Sequence, residues 1–128
     1  MNQERVLYIG TEDGVYRATA KNGGYAASAA GLQGKGAIRS PVVIDVNEPR
    51  RMYAATGRGG VFVSENGGER WREINEGVTY KEAWSLAQHP KTGELVLGTG
   101  PSSVFKSGDR GESWQDCAQL RSLRETID

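Results

Sequence analysis

The chain has 128 residues, and its 16 basic and 16 acidic side chains cancel to a formal net charge of zero. This length allows one domain with a modest core, and the charge balance argues against electrostatic binding to nucleic acid or to a membrane surface. No apolar run approaches the roughly 20 residues of a membrane helix, no signal-peptide-like apolar stretch follows the polar N-terminus, and the single cysteine excludes an intramolecular disulfide. We therefore expect a cytoplasmic protein that binds neither nucleic acid nor membrane.

The first predicted unit covers residues 5–30 and starts directly with a strand at Val6–Ile9. A second strand is expected around Val15–Arg17, which aligns with a strand in each later unit. A glycine-rich stretch, residues 31–36, follows the unit. Because no phosphate-binding signature follows these glycines, we expect a long, mobile connection that could become ordered around a ligand.

The second predicted unit, residues 38–76, contains four short strands. Three of them are Val42–Val46, Met52–Thr56 and Val61–Ser64, which are separated by turn residues, and the fourth is Trp71–Ile74. The glycine-rich residues 57–60 join two of these strands. Since neither a helix nor a Lys-Ser/Thr pair follows them, we interpret them as a hairpin turn and not as a phosphate loop.

The third predicted unit, residues 83–118, repeats this order from Trp84 to Cys117 at a constant offset of 43 residues from the second unit. Four-stranded units of about 40–50 residues are the blades of a β-propeller. We therefore predict an all-β fold of three blades, the first of which lacks its initial strand. The tail, residues 119–128, is expected to form a short helix or an extended loop, with the alternative that it supplies this missing strand.

One pattern, Ser-x-(Asp/Asn)-x-Gly-x-x-Trp, occurs at residues 64–71 and again at residues 107–114. The Asp or Asn is expected to accept hydrogen bonds from backbone amides two residues further on, and the glycine to adopt a positive φ. The tryptophan is expected to fill the gap between neighbouring sheets. The predicted structural residues are Ser64, Asn66, Gly68, Trp71, Ser107, Asp109, Gly111 and Trp114.

The corresponding hairpin of the first unit departs from this pattern. Asn22 stands at the glycine position, and Ala18 and Ala20 replace the Ser and the Asp or Asn. Tyr25 aligns with the two tryptophans. Because the hydrogen-bonding side chains are missing, we expect a looser hairpin here.

The repeated pattern resembles the Asp-box, or BNR repeat, and the chain is similar to bacterial sialidase-like propeller proteins over about residues 5–117. The resemblance implies propeller blades. In these families the box lies on the blade rim, away from the ligand site, so the resemblance implies no catalytic role for Asn66 or Asp109.

Closed propellers usually have 4–8 blades, and this sequence encodes fewer than three complete ones. Two apolar blade faces would then need cover. Either the chain is half of a longer propeller, or copies associate, for example as two chains in a six-bladed ring. We favour association, so a homo-oligomer is the expected state.

Loops that join successive blades, and loops between the second and third strands of each blade, share one face of a propeller. Among the residues that this face is expected to carry are Glu12, Asp13, Lys35 and Lys81. Loops on a rigid scaffold commonly carry binding residues, so this face is the candidate binding surface, with the alternative that its residues are solvated turns and an inner strand. The candidate binding residues are Arg39, Arg58, Tyr80, Glu82 and Trp84.

This mixture of charged and aromatic residues predicts a non-enzymatic scaffold or interaction module for a protein or carbohydrate ligand. The alternative is a glycoside hydrolase or sialidase, which would need two carboxylates roughly 5–9 Å apart. Arg5 and Arg17 lack the surroundings of a sialidase arginine motif. His89 is interpreted as a turn residue and Cys117 as a small buried one, so we predict no catalytic residue, metal site or cofactor.

Overall fold

A computed structural model describes residues 5–117 of the chain. Within this range, eleven strands form three antiparallel sheets, and no helix is present. The predicted all-β blade architecture is therefore confirmed. The strands are β1 (Val6–Thr11), β2 (Gly14–Lys21), β3 (Gly24–Ala29), β4 (Val43–Ile44), β5 (Met52–Thr56), β6 (Gly60–Ser64), β7 (Arg72–Glu73), β8 (Glu82–Gln88), β9 (Leu95–Gly100), β10 (Ser103–Ser107) and β11 (Gln115–Asp116).

Each sheet is a meander in which every strand pairs with its neighbour in sequence. The first blade has the order β1-β2-β3, the second β4-β5-β6-β7 and the third β8-β9-β10-β11. The first blade thus has three strands in the described residues, as predicted. The expected helix or strand in the tail, residues 119–128, lies outside the described residues.

The first and last strands of the second blade are shorter than predicted. β4 ends at Ile44 because the Asp45 carboxylate accepts the amide of Asn47 at 3.0 Å and closes a turn. β7 contains only two residues, although the amide of Ile74 still donates to the carbonyl of Val61 at 2.9 Å. Sequence pattern alone overestimates strand length where side chains compete for the backbone.

The central strands of the second blade are buried on both sides, because they lie between the other two blades. In β5, Tyr53 and Ala55 pack against the third blade, and Ala54 between them packs against the first. Phe62 in β6 lies on the same side as Ala54. This alternation explains why β5 and β6 are almost entirely apolar, since a strand that is covered on both faces loses the usual polar residues.

The first blade has one sheet face that no other described residue range covers. Residues directly opposite one another in a register share a face, and Ile9 lies opposite Tyr16. Leu7 and Tyr25 belong to the same face, and the exposed fractions of Leu7, Ile9 and Tyr25 are 47%, 42% and 51%. We call this surface, together with Ala27 of β3, the open face of the first blade.

The third blade also has a sheet face that no other blade of the described residues covers. Val96 lies opposite both Ala87 and Lys106, and Lys106 lies opposite Gln115, so the four residues share one side of the sheet. Val96 is 41% exposed. We call this surface the open face of the third blade.

β1 is an edge strand in the described residues. Val15 bonds towards β3, through its amide to Gly31 and its carbonyl to Ala30, at 2.9 and 2.7 Å. Gly10 of β1 lies opposite Val15, so the amide and carbonyl of Gly10 point away from β2. The orientation repeats at every second residue, so the amide and carbonyl of Tyr8 also point away from β2. No strand within residues 5–117 pairs with this edge.

The two Ser-x-(Asp/Asn) hairpins have the same hydrogen bonds. In the second blade, the Ser64 hydroxyl accepts the amide of Gly68 at 2.8 Å, and the Asn66 side chain accepts the amide of Arg70 at 2.9 Å. The third blade repeats both bonds, 43 residues later, at 2.8 and 2.9 Å. The acceptors thus bind amides four residues further on, and the prediction of two residues is wrong. The chain wraps around the side chain in a wider loop than a simple Asx turn.

The hairpin of the first blade is tight, contrary to prediction. Asn22 and Gly23 form a two-residue turn with φ of 48° and 82°, which is the type I′ geometry that matches strand twist. β2 and β3 stay paired up to the turn. This longer pairing shifts the register by two residues, so that Ala27, and not Tyr25, lies at the level of Trp71.

The glycine-rich connection of residues 31–36 is anchored at several points. The Gly34 amide donates to the Asp13 carboxylate at 2.9 Å, and the Lys35 carbonyl accepts the amide of Arg58 at 2.8 Å. The Leu32 side chain is buried between the first and second blades. The segment therefore joins two blades through defined contacts, in contrast to the expected mobile loop.

A buried arginine links the second and third blades on the hairpin side. The Arg51 guanidinium donates to the Tyr53 hydroxyl at 2.8 Å and to the carbonyl of Arg110 at 2.9 Å, and it pairs with Glu65. The Tyr53 hydroxyl in turn donates to Asp45 at 3.2 Å. Burial disfavours the charged form of Asp45. Hydrogen bonds that its carboxylate accepts from Gln88, Asn47 and Tyr53 nevertheless lower the pKa of Asp45 overall. We call these residues the Arg51 network.

Asp109 predicts an acid-dependent loss of stability. Hydrogen bonds from the Ser113 hydroxyl, the Ser113 amide and the Ser107 hydroxyl lower the pKa of Asp109 to about 2. Because this pKa is depressed in the folded state, the stabilisation is present above the unfolded-state value of about 3.9 and is lost as the pH falls towards 2. In urea denaturation, the stability advantage of the wild type over Asp109→Asn should shrink between about pH 4 and pH 2. An advantage that is independent of pH over this range would contradict the assignment.

Candidate functional site

Backbone contacts bring the blade-connecting loops together at one end of the sheets. The Ile38 amide donates to the carbonyl of Thr11 at 2.8 Å, and the Gly60 amide donates to the carbonyl of Lys81 at 2.9 Å. We call the surface formed by residues 12–13, 31–42, 57–59, 74–81 and 101–102, with the start of β8, the loop face. The hairpin at residues 64–71 instead contacts the loop before β5, through the Gly67 amide and the Arg50 carbonyl at 3.1 Å.

A β-bulge turns Trp84 outwards at the start of β8. Ala83 pairs with Thr99 and Ser85 pairs with Gly98, so Trp84 is an extra residue without a partner on β9. Ala83 is buried, whereas Trp84 is 46% exposed. Bulges commonly redirect a side chain next to a binding site. Here the bulge places a large aromatic ring on the loop face.

Arg39 and Glu82 flank this ring. The Arg39 guanidinium carbon lies 4.3 Å from the centroid of the Trp84 ring, and the Trp84 indole N–H donates to the Glu82 carboxylate at 3.0 Å. A cation at this distance over an indole is held by electrostatic attraction. Arg39 makes no hydrogen bond or ion pair with any residue between 5 and 117. We call these three residues the Trp84 cluster.

The other two candidate residues lie outside this cluster. Tyr80 is half-buried and packs against the core between the second and third blades, so its ring is not a free binding platform. Arg58 is exposed in the turn before β6, and its side chain makes no hydrogen bond, ion pair or ring contact with the described residues. Arg39 reaches the same turn, since a Cβ at Gly57 would lie 3.5 Å from its guanidinium. Trp84 therefore contacts two of the other predicted residues, Arg39 and Glu82, and Arg58 lies in the turn that Arg39 reaches.

Sequence analysis missed the residue that fixes the inner strand of the third blade. The buried Ser40 hydroxyl accepts the amide of Leu86 at 3.1 Å and donates to the carbonyl of the same residue at 3.2 Å. This double contact ties the segment between Arg39 and β4 to β8, two residues after Trp84. A single serine before a proline carries no sequence signal for such a role.

The loop-face carboxylates are engaged separately. Asp13 binds the Gly34 amide, Glu82 binds the Trp84 indole, and no contact among residues 5–117 joins two of the loop-face carboxylates. No group of three or more potential metal ligands is found among the described residues. The same part of the chain contains no helix of the length and apolarity that a bilayer crossing requires.

His89 occupies the turn position that the sequence suggested, whereas Cys117 is less buried than predicted. The His89 ring nitrogen Nδ1 accepts the amides of Lys91 and Thr92 at 3.1 and 3.2 Å and closes a turn. The Cys117 amide donates to the carbonyl of Val104 at 2.8 Å, and its side chain is only half-buried because the third blade has an open face.

Comparison with known sequences gives a limited match. No family model matches the chain. A segment of 60 residues is 35% identical to vacuolar protein sorting/targeting protein 10 of Blastomyces gilchristii (strain SLH14081), and it covers 45% of this chain but 4% of that protein.

Two solved structures are similar in fold. YCF48 bound to a D1 peptide has a TM-score of 0.59 at 13% identity, over 86% of this chain and 37% of that chain. The GH74 enzyme of Niastella koreensis has a TM-score of 0.53 at 16% identity, over 91% of this chain and 18% of that chain. Both are β-propeller proteins, and the chain spans well under half the length of either. The chain therefore has the fold of β-propeller blades.

Proposed function

We propose that this chain is a non-enzymatic β-propeller module that binds a polar segment of a protein partner on its loop face. The observation that carries this proposal is the Trp84 cluster: a bulge exposes an indole, and Arg39 and Glu82 hold it in place. An exposed aromatic ring beside a charged side chain is typical of residues that dominate protein interfaces.

The chemistry of Arg39 favours a ligand with oxygen acceptors. Its guanidinium lies over the Trp84 ring, and within the described residues its N–H groups have no acceptor. A guanidinium that is already positioned by stacking loses less conformational entropy when it binds a carboxylate or a backbone carbonyl. Arg58 in the adjacent turn adds a second positive charge.

Similarity in fold agrees with this role without establishing it. YCF48, one of the two similar structures, was solved with a D1 peptide, so a propeller of this type can bind a peptide. Since loops carry binding specificity on a shared scaffold, the partner of this chain is defined by its own Trp84 cluster.

A peptide library tests the proposal. Random dodecapeptides displayed on phage are selected on the 128-residue chain, and the enriched peptides are then measured against purified variants. Trp84→Ala and Arg39→Ala should each weaken binding about tenfold or more. Arg50→Ala changes an exposed arginine on the opposite side and should leave binding unchanged. Selected peptides that bind Trp84→Ala as tightly as the wild type, or a failure to enrich any peptide, would argue against the loop face.

An enzymatic role is the alternative function that the sequence suggested. A hydrolase would need two cooperating carboxylates, and the contacts of Asp13 and Glu82 engage them in different tasks. Chromogenic glycosides provide the test. Turnover that is present in the wild type and lost in Glu82→Ala would replace the binding proposal with catalysis.

We also propose that the hairpins at residues 64–71 and 107–114 are Asp-box repeats. Their support is the set of equivalent hydrogen bonds, together with Gly68 and Gly111 at φ of 90° and 86°. In this interpretation Asn66 and Asp109 shape the rim of each blade. They lie on the side opposite the Trp84 cluster and take no part in ligand binding.

A further inference from the structure

The two blade interfaces in this chain share one repeated contact. In each blade, the residue that directly follows the last strand donates its backbone amide to a carbonyl of the preceding strand. These residues are Ala30, Ile74 and Cys117. The Ala30 carbonyl accepts the Trp71 indole of the second blade at 2.7 Å, and the Ile74 carbonyl accepts the Trp114 indole of the third at 2.9 Å. No described residue of a following blade supplies such a donor to Cys117. Within residues 5–117, the third blade therefore presents the receiving side of an interface without a following blade.

The open face of the first blade is the other half of that interface. Phe62 packs against the first blade and Phe105 against the second, and the offsets of the repeat place Tyr16 at the same position in the first blade. Tyr16 lies on the open face with Leu7 and Ile9, where no preceding blade covers it. In the part of the chain that the structure describes, the face that packs on a preceding blade in the two later blades has no blade against it.

We propose that a second copy of this chain completes the ring, with the open face of its third blade against the open face of the first blade. This inference deepens the proposed function and rests on it, because a closed ring would frame the loop face. The described residues of one copy form three blades, so those of two copies form six and those of three copies form nine. Closed propellers usually have about 4–8 blades, so two copies are the number that closes within this range. The contact joins unlike faces, and its closure with twofold symmetry makes a discrete dimer.

The internal interfaces identify which residues meet in the dimer. Arg72 of the second blade pairs with Glu112 of the third at 3.0 Å. At the offset of 43 residues, Gln115 of the third blade corresponds to Arg72 of the second. By strand register, Tyr25 of the first blade occupies the position that Glu112 occupies in the third. Gln115 of one copy should therefore lie next to Tyr25 of the other.

The interface between copies lacks one element of the internal interfaces. Register places Ala27 where Trp71 and Trp114 insert their indoles in the later blades. The association should be weaker than the packing within a chain, because a methyl group replaces a large buried ring. Ala27→Trp should therefore tighten the dimer about tenfold, whereas Ile9→Lys should weaken it about tenfold or more.

Cross-linking and sedimentation test the arrangement. In a Cys117→Ser background, Tyr25→Cys and Gln115→Cys are purified separately and treated with a short bis-maleimide, alone and mixed. We expect a covalent dimer in the mixture and none in either variant alone. Trp84→Cys on the loop face, mixed with Tyr25→Cys, is the matched control and should give none. Sedimentation velocity of the wild type at micromolar concentration should give a dimer.

Three results would overturn this inference. A monomer at all concentrations would mean that the open faces are covered by something other than a second copy. Cross-linking of Tyr25→Cys with itself alone would indicate a symmetric contact between identical faces. Species that grow beyond the dimer would exclude a closed pair. Peptide binding that depends on Trp84 and persists in monomeric Ile9→Lys would preserve the proposed function even if the dimer fails.

Discussion

Replacing Trp114 with alanine should lower the free energy of unfolding by about 3–5 kcal/mol, the range for truncation of a fully buried aromatic side chain. Trp114 is 4% exposed and packs in the core between the second and third blades. The substitution removes that packing and leaves the Ile74 carbonyl without its 2.9 Å hydrogen bond. Urea denaturation followed by circular dichroism measures the change.

The other tryptophans provide a graded control. Trp71 makes the equivalent 2.7 Å bond to Ala30 but is only half-buried, so Trp71→Ala should cost about 1–3 kcal/mol. Trp84 is exposed on the loop face, and Trp84→Ala should change stability by less than about 1 kcal/mol. If Trp114→Ala does not fold, Trp114→Phe should still show a partial loss. Equal effects at all three positions would contradict the blade packing.

Replacing Arg51 with alanine should destabilise the protein by about 3 kcal/mol, as expected when one partner of a buried charged network is removed. The Arg51 side chain is almost fully buried, and its guanidinium bonds to Tyr53, Glu65 and Arg110. Alanine would leave the Arg110 carbonyl without this donor and a cavity between the second and third blades.

The neighbouring arginine is a matched control for this prediction. Arg50 is exposed, and its side chain makes no hydrogen bond, ion pair or ring contact with the described residues, so Arg50→Ala should change the free energy of unfolding by less than about 0.5 kcal/mol. Both variants carry the same change in net charge. If the two variants lose similar stability, the buried network does not contribute as the structure indicates.

Much of the blade architecture could be predicted because the repeat constrains many positions at once. The strand Met52–Thr56 was predicted with its observed bounds, since it is apolar on both sides and is flanked by turn residues. The positive φ of Asn22, Gly68 and Gly111 also follows from residue type, because few other residues adopt this conformation without strain.

The candidate site was less accessible from sequence because it depends on register and on distant contacts. A bulge at Trp84 is a misalignment between two strands, and nothing in either strand marks it. Tyr80 belongs to a loop on the predicted binding face, yet its ring packs against the core. Arg39 and Trp84 are 45 positions apart in the sequence, and their contact depends on how two blades pack.

The hairpin of the first blade illustrates a similar limit. Alignment by offset matched Tyr25 to the tryptophans, but the tight turn at Asn22 and Gly23 inserts two further residues into the paired region. Local turn chemistry thus overrode the repeat. The same shift explains why an alanine, and not an aromatic ring, lies at the position that seals the other blades.

The edge of β1, with which no strand within residues 5–117 pairs, favours aggregation at high protein concentration. Backbone groups that point outwards from Tyr8 and its alternate neighbours can bond to any extended chain, including the same edge of another molecule. Natural edge strands are commonly protected by lysine or proline, and β1 contains neither. Crowded solutions should therefore yield precipitates with the 4.7–4.8 Å strand spacing of cross-β material unless another strand occupies this edge.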